Sequence, residues 1–343
     1  MSSMLDRYSR QALFREIGEQ GQARLGRSTA VIIGCGALGA LQAETLARAG
    51  VGRLLLVDRD FVEESNLQRQ IIFEEADAHD RLPKAIAAAR RLGRVNSGIQ
   101  VDPVVADVNF ENIEEIIDGA DVVMDGTDNF ETRFLMNDAC VKSGVPWVYG
   151  AAVGSYGMTM TIIPYQSPCL RCVLEAVPDP GSGPTCDTAG VIMPITSIIA
   201  SIQSAEALKL LTDQTDKLHR SLVRVDVWEF QMKRLDLSSF ERQDCLTCVK
   251  RQFEFFRGAS RQVTTTLCGR NAVQIAKSGA GLVDFAALAQ RLTKAGEVQF
   301  NDFLLRFRVE DYDITVFRDA RSIIRGTTDP AVARSLYARY IGG

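Results

Sequence analysis

Gly34, Gly36 and Gly39 stand in a G-x-G-x-x-G spacing directly after the β-branched apolar run Thr29–Ile33. Behind them Leu38, Leu41 and Leu46 recur at helical period, and Gly50 and Gly52 end that helix. A strand, a glycine turn and a helix in this order make an anion site. The first glycine forms the tight turn, the second lets backbone approach a phosphate, and the third allows close helix–strand packing. The helix N-terminus adds unpaired N–H groups. The next apolar run, Leu54–Val57, closes on Asp58, nineteen residues beyond Gly39. A carboxylate there can bond ribose hydroxyls. This pattern points to a nucleotide; the alternative is a tight βαβ turn that holds no ligand. NAD and ATP both fit it.

More polar residues follow at the carboxyl edge that these strands define. Asn66, Arg69 and Gln70 lie in FVEESNLQRQIIF, and Lys84 lies in RLPKA. Pro83 reads as the first helical residue, so Lys84 falls in the first turn of a helix running to about Arg94. Such Arg and Lys residues are usually solvated surface charge; beside a nucleotide turn they suit phosphate. The run Val122–Asp125 ends in DGTDNFETR. Asp128 there can hold magnesium at bound phosphates. Thr127, Asp128 and Asn129 are equally good capping chemistry for a helix Phe130–Ser143, and the two roles are compatible.

Four of the eight cysteines form two C-x-x-C pairs, Cys169/Cys172 and Cys245/Cys248, with 72 residues between them. Two such hairpins at the ends of one subdomain can close a tetrahedral four-thiolate zinc site; redox dithiols are the alternative. Cys186 follows a loop rich in proline and glycine and precedes a helix from about Ile192 to Thr212. A thiol exposed near a helix start can be a nucleophile, or simply a loop cysteine. Cys268 and His79 read as structural.

The elements that must position these residues alternate strand and helix. Val101–Val105, Trp147–Ala151 and Gly157–Ile163 read as further strands, and Ser221–Asp226 with Gln231–Asp236 as a hairpin. The fold class is therefore α/β, a doubly wound Rossmann-like sheet, followed by a small C-terminal α/β module. Residues 1–254 are expected to form the first domain and 255–343 the accessory one. In the latter, Gln262–Leu267, Phe303–Val309, Asp313–Phe317 and Ser322–Ile324 read as strands. Helices are expected at Asp284–Leu292 and from Asp329-Pro330 onward. A length of 343 residues, 46% hydrophobic and 24% charged, is ordinary for a globular protein. The net charge of −4 is spread without basic runs and argues against nucleic acid or a membrane surface. The N-terminus has no apolar h-region, and the apolar stretch Val191–Leu211 carries Gln203, Glu206 and Lys209. The expectation is a cytoplasmic protein.

Taken together, one set of residues resembles the E1-like activating enzymes of the ThiF/MoeB/HesA family. It comprises R-Y-x-R-Q (Arg7–Gln11), G-x-G-x-L-G (Gly34–Gly39), Asp58 with Asp60, S-N-L-Q-R-Q (Ser65–Gln70), P-K-A (Pro83–Ala85), G-T-D-N (Gly126–Asn129), the two C-x-x-C pairs and T-C-x-x-A-G-V (Thr185–Val191). The resemblance covers about residues 5–250 and favours ATP over NAD. It implies adenylation of the C-terminal glycine of a ubiquitin-like sulfur carrier, ThiS-like or MoaD-like, for thiamine, molybdopterin or a related pathway. By the same resemblance Asp58 binds ribose, Asn66, Arg69 and Gln70 the phosphates, Lys84 the α-phosphate, and Asp128 magnesium with Asn129 beside it. Arg10 reaches the nucleotide of a partner subunit, which implies a homodimer. Cys169, Cys172, Cys245 and Cys248 match the zinc ligands, and Cys186 the crossover-loop cysteine that links to the carrier or passes sulfur. One departure is Ala37, where many members have another glycine. No rhodanese-type cysteine loop is evident beyond residue 255, so sulfur is expected from another protein, a cysteine desulfurase or rhodanese. Three rival readings stand beside this one. They are an E1-like enzyme for a small molecule or peptide carboxylate, a NAD-dependent oxidoreductase, and a non-catalytic partner of an E1-like pair.

Overall fold

Successive residues of the central strands bury on opposite faces of one sheet, and both faces are covered. Ala30 and Ile32 point into one core, Val31 and Ile33 into the other. Leu54 and Leu56 share the first core, and Val57 the second. Strands buried on both sides read as continuous apolar runs rather than alternating ones. The computed structural model describes residues 7–177, 186–240, 244–257, 264–267, 271–275 and 282–341. The side chains of Cys186 and Asp187 are outside that description, as are Cys268 and the loop 178–185. Two compact units are present, Met1–Ala259 and Ser260–Gly343.

In the first unit, β1 (Thr29–Ile33), β2 (Arg53–Val57), β3 (Gln100–Val104), β4 (Val122–Asp125) and β5 (Trp147–Val153) run parallel. Strands β6 (Tyr156–Ile162), β7 (Ser221–Asp226) and β8 (Gln231–Asp236) extend the sheet antiparallel. The order is β3-β2-β1-β4-β5-β6-β7-β8. The chain therefore winds one way from β1 to β3 and the other way from β4 onward. Between β1 and β4 lies the switch point where open α/β sheets bind ligands.

Helices α1 (Ala37–Ala49) and α2 (Lys84–Val95) pack on one face together with the C-terminal half of α4 (Met193–Leu211), while α3 (Phe130–Ser143) packs on the other. Helix α1 ends at Gly50, φ +82°, a left-handed cap that glycine adopts without strain. Pro83 is the N-cap of α2, with ψ 135°, rather than its first helical residue, so Lys84 opens the helix. Phe255 and Phe256 pack against the core beside α3, so the first unit continues past residue 254.

The second unit is a six-stranded antiparallel sheet, β9 (Thr264–Leu267), β10 (Ala272–Ile275), β11 (Glu297–Phe300), β12 (Leu304–Val309), β13 (Tyr312–Phe317) and β14 (Ser322–Arg325). Its order is β11-β12-β13-β14-β10-β9. Helices α5 (Phe285–Leu292) and α6 (Pro330–Tyr340) pack on Leu305, Phe307, Ile314 and Ile324. Asp284 caps α5 through Ala286 and Ala287 N–H, and Asp329 caps α6 through Ala331 N–H. Among the described residues no helix is long and apolar enough to cross a membrane.

Candidate active site

At the switch point three glycines interlock. A Cβ on Gly39 would stand 1.7 Å from the Gly34 carbonyl oxygen, and one on Gly126 would stand 2.3 Å from the same atom. Gly34 itself has φ +89°, and its Cβ would meet Gly126 O at 2.5 Å. The ends of β1 and β4 and the first turn of α1 thus touch backbone to backbone. Gly36 differs. It has φ −76° as the N-cap of α1, and the nearest atoms to a Cβ there are Gly126 O at 3.8 Å and Gln70 Nε2 at 4.0 Å. Nothing in the fold demands glycine at that position; the space in front of it is what a side chain would fill. Ala37 is the first residue of α1 and is not among the residues with positive φ, so alanine fits there.

Asp58 closes the turn. Its Oδ2 accepts from Cys35 N–H at 2.6 Å and its Oδ1 from Asp60 N–H at 2.7 Å. Burial pushes the Asp58 carboxyl above its ordinary range, with Asp60 adding to the push and Lys84 and the two N–H groups opposing it. Burial likewise pushes the Cys35 thiol up, so it is not a nucleophile. Lys84 is 5% exposed, and its Nζ lies 3.6 Å from Asp60 Oδ2. Asn66 is buried and its Oδ1 accepts from Glu63 N–H at 3.1 Å, locking the short helix Glu64–Leu67. Gln70 is 4% exposed, and its Oε1 has no hydrogen-bond partner among the described residues. Arg69, half-buried, donates to Ser65 O at 2.9 Å.

Across the switch point Asp128 is exposed, and Asn129 Oδ1 caps α3 by accepting from Thr132 N–H at 2.8 Å. The geometry therefore brings Gly34, Gly36, Gly39, Asp58, Asp60, Asn66, Gln70, Lys84, Asp128 and Asn129 to the carboxyl ends of β1, β2 and β4. Arg10 is not among them. It is exposed on the short helix Ser9–Ala12, whose neighbour Gln11 donates to Ala49 O at 2.8 Å, at the far end of α1. A helix of that length puts about 20 Å between Arg10's anchorage and the glycine turn.

The four cysteines of the C-x-x-C pairs converge, with their Sγ atoms all within 4.8 Å of one another. Separations are 3.8 Å for Cys169–Cys172, 3.6 Å for Cys169–Cys245 and 3.4 Å for Cys172–Cys248. Four thiolates around a tetrahedral zinc at about 2.3 Å would lie about 3.8 Å apart, so the set fits that ion. Helix α3 holds both hairpins. Asn137 Oδ1 accepts from Leu170 N–H at 2.9 Å, and Asp138 accepts from Thr247 Oγ1 at 2.8 Å and Phe255 N–H at 3.1 Å.

Several residues at the site carry no motif. Asp125, fully buried, pairs with Arg133 at 3.0 Å and accepts from Thr127 N–H, Thr127 Oγ1 and Gly150 N–H. Gln42 and Gln203 both donate to the Asp125 carbonyl, at 2.9 Å and 3.0 Å. Arg59 donates to Asp107 at 2.9 Å and faces Asp60 at 3.9 Å. The signal that was available for these is a polar residue inside an otherwise apolar helical face, as with Gln42, Gln203 and Arg133.

The doubly wound sheet thus carries a glycine turn and a buried lysine at its switch point, the place where sheets of this class bind ligands. The chain matches the ThiF family over residues 8–248, and it belongs to that family. It is 46% identical over 341 residues, 99% of this chain and 100% of the relative, to the sulfur carrier protein ThiS adenylyltransferase of Bacillus subtilis (strain 168). It is 40% identical over 247 residues, 72% of this chain and 90% of the relative, to the SAMP-activating enzyme E1 of Haloferax volcanii. The fold is similar to that of E. coli MccB in its crystal structure with MccA-N7isoASN, with a TM-score of 0.62 at 22% identity, covering 71% of this chain and 74% of that one.

The second and third glycines of the turn separate binding from stability. Gly39→Ala is expected to cost about 2 kcal/mol or more in urea denaturation, since the Cβ overlaps backbone. Gly36→Ala is expected to stay within about 1 kcal/mol of the parent yet weaken Mg-ATP binding more than about tenfold, measured by calorimetric titration.

Proposed function

We propose that the protein uses ATP to adenylate the C-terminal glycine of a ubiquitin-like sulfur carrier of the ThiS kind. The observation that carries this is the match to the Bacillus subtilis sulfur carrier protein ThiS adenylyltransferase, which runs the whole chain, second unit included. The SAMP-activating enzyme E1 supports the same chemistry over the first unit. In this reading the carrier carboxylate attacks the α-phosphorus of ATP. A carboxyl–phosphate bond forms, the bond to the bridging oxygen breaks, and pyrophosphate leaves.

The chain's contribution is position and charge. Asp58 takes the ribose hydroxyls on the lone pairs its backbone donors leave free. The N-terminus of α1 and the open face of Gly36 admit the phosphates. Asn66, Arg69 and Gln70 line their path. Lys84, buried beside Asp60, offsets charge building at the α-phosphate. Asp128 is the carboxylate for magnesium, with Asn129 next to it; the ion, when bound, neutralises the departing phosphates. Arg10 serves the nucleotide of a second copy in a homodimer. Cys169, Cys172, Cys245 and Cys248 hold a structural zinc. Cys186 takes up carrier or sulfur, and a cysteine desulfurase or rhodanese supplies the sulfur. The second unit, Ser260–Gly343, helps to dock the carrier or the donor.

ATP–pyrophosphate exchange tests the activity. With a panel of carriers ending in Gly-Gly, exchange is expected with a ThiS-type carrier only, and Asp128→Ala should lower it more than about 100-fold. Exchange without any carrier, or undiminished exchange in the variant, would contradict this assignment. Zinc is checked separately. Cys248→Ser should remove about one zinc per chain and lower the thermal midpoint by about 5 °C or more; a variant as stable as the parent would remove the structural role.

A further inference from the structure

Three acids stand in the loops that leave the carboxyl ends of β2, β3 and β4, and all three act on Arg59. Asp60 lies three residues past the end of β2 at Val57, Asp107 three past the end of β3 at Val104, and Asp128 three past the end of β4 at Asp125. Asp58, which accepts from Asp60 N–H at 2.7 Å, adds a fourth carboxylate. A triphosphate entering among these groups meets their like charge. Lys84 is the buried cation on the inner side, 3.6 Å from Asp60. Arg59 is the cation set among these acids. Its Nη1 donates to Asp107 at 2.9 Å, and its Nε lies 3.9 Å from the other face of Asp60, which is thus shared by two cations.

The site of Arg59 is built rather than incidental. The side chains of Asn109 and Asn112 both donate to the Asp107 carbonyl, at 3.1 Å and 2.9 Å, and Asn112 Oδ1 accepts from Asn109 N–H at 2.9 Å. This loop fixes the carboxylate that holds the guanidinium. Burial alone would lower the Arg59 pKa, but Asp107, Asp60 and Asp128 together raise it, so the charge is permanent and is felt by all three acids. Neither the glycine turn nor the phosphate-binding set assigns Arg59 any part.

We propose that Arg59 is a charge-balancing residue of the nucleotide crevice, offsetting Asp60, Asp107 and Asp128 so that the anionic triphosphate can enter. The inference rests on the ATP reading above. Its action is through the field in the crevice, so it governs the binding of charged nucleotide and not of the neutral nucleoside. Asp107 opposes it, and removing that acid has the opposite effect.

The test is calorimetric titration of the full chain with Mg-ATP and with adenosine, at low and high salt. Arg59→Met should raise the Kd for ATP about tenfold, leave adenosine within about twofold, and lose most of its effect at high salt. Arg59→Lys should bind ATP nearly as the parent does. Asp107→Asn alone should tighten ATP binding, and Asp107→Asn in the Arg59→Met background should restore it. That single Asp107 variant keeps the idea testable if Arg59→Met does not fold. Several results would overturn the proposal. One is an ATP affinity unchanged in Arg59→Met, or weakened equally with that of adenosine, as a structural role would give. Failure of Asp107→Asn to tighten or restore ATP binding would point to direct contact instead. A parent protein that binds neither ligand would overturn the nucleotide reading and this proposal with it.

Discussion

The fold depends on one close approach. Gly34, Gly39 and Gly126 leave no room for a side chain where β1, α1 and β4 meet. The contact is backed by backbone hydrogen bonds of 2.8 Å from Gly34 N–H to Val57 O and from Gly126 N–H to Ile33 O. Because these three elements cannot slide, the first turn of α1 is aimed at a fixed point above the strand ends. A helix N-terminus attracts an anion only within its first turn, so a shift of even one side chain's width would lose the site. Steric exclusion adds to these hydrogen bonds: Gly34 and Cys35 N–H are committed within the fold, and the start of α1 is the part of the turn aimed at a ligand.

Around that contact the buried Asp125 is closely satisfied, while Gln42 Oε1 and Gln70 Oε1 have no hydrogen-bond partner among the described residues. The Asp125 carboxylate takes donors from Arg133, Thr127 and Gly150, while two glutamines from α1 and α4 hold its carbonyl. A buried pair of this kind is a weak source of net stability, since desolvation offsets most of the attraction. Its value lies in fixing the turn 126–129 that delivers Asp128. Helix α3 starts from that turn and, further along, holds both cysteine hairpins through Asn137 and Asp138. The cysteine cluster and the nucleotide crevice are therefore attached to the two halves of one helix.

Much of this was legible in the sequence, for physical reasons. Thr29–Ile33, Val122–Asp125 and Ser221–Asp226 coincide with their strands, because β-branched runs ended by glycine or aspartate leave little choice. The capping residues Asn129, Asp284 and Asp329 act as their positions indicated. Ala272–Ile275 and Glu297–Phe300 were not visible as strands. Each is four residues long, too short for a period to show, and exists because neighbours offer hydrogen bonds. The partners of Arg59, Gln42, Gln203, Asn137 and Asp138 were hidden for another reason. These residues are ordinary polar residues in sequence and acquire partners only from segments far along the chain, 161 residues apart for Gln42 and Gln203. Arg10 shows the reverse: its motif stands out in the sequence, yet within one chain it lies away from the crevice.

The most direct measurement is mass spectrometry of a ThiS-type carrier after incubation with the protein, magnesium and ATP, with pyrophosphatase present. The account predicts a carrier heavier by one adenylyl group at its terminal glycine. A carrier lacking that glycine should stay unmodified. An unmodified intact carrier, under conditions where ATP is bound, would contradict the assignment, however well the crevice accommodates the nucleotide.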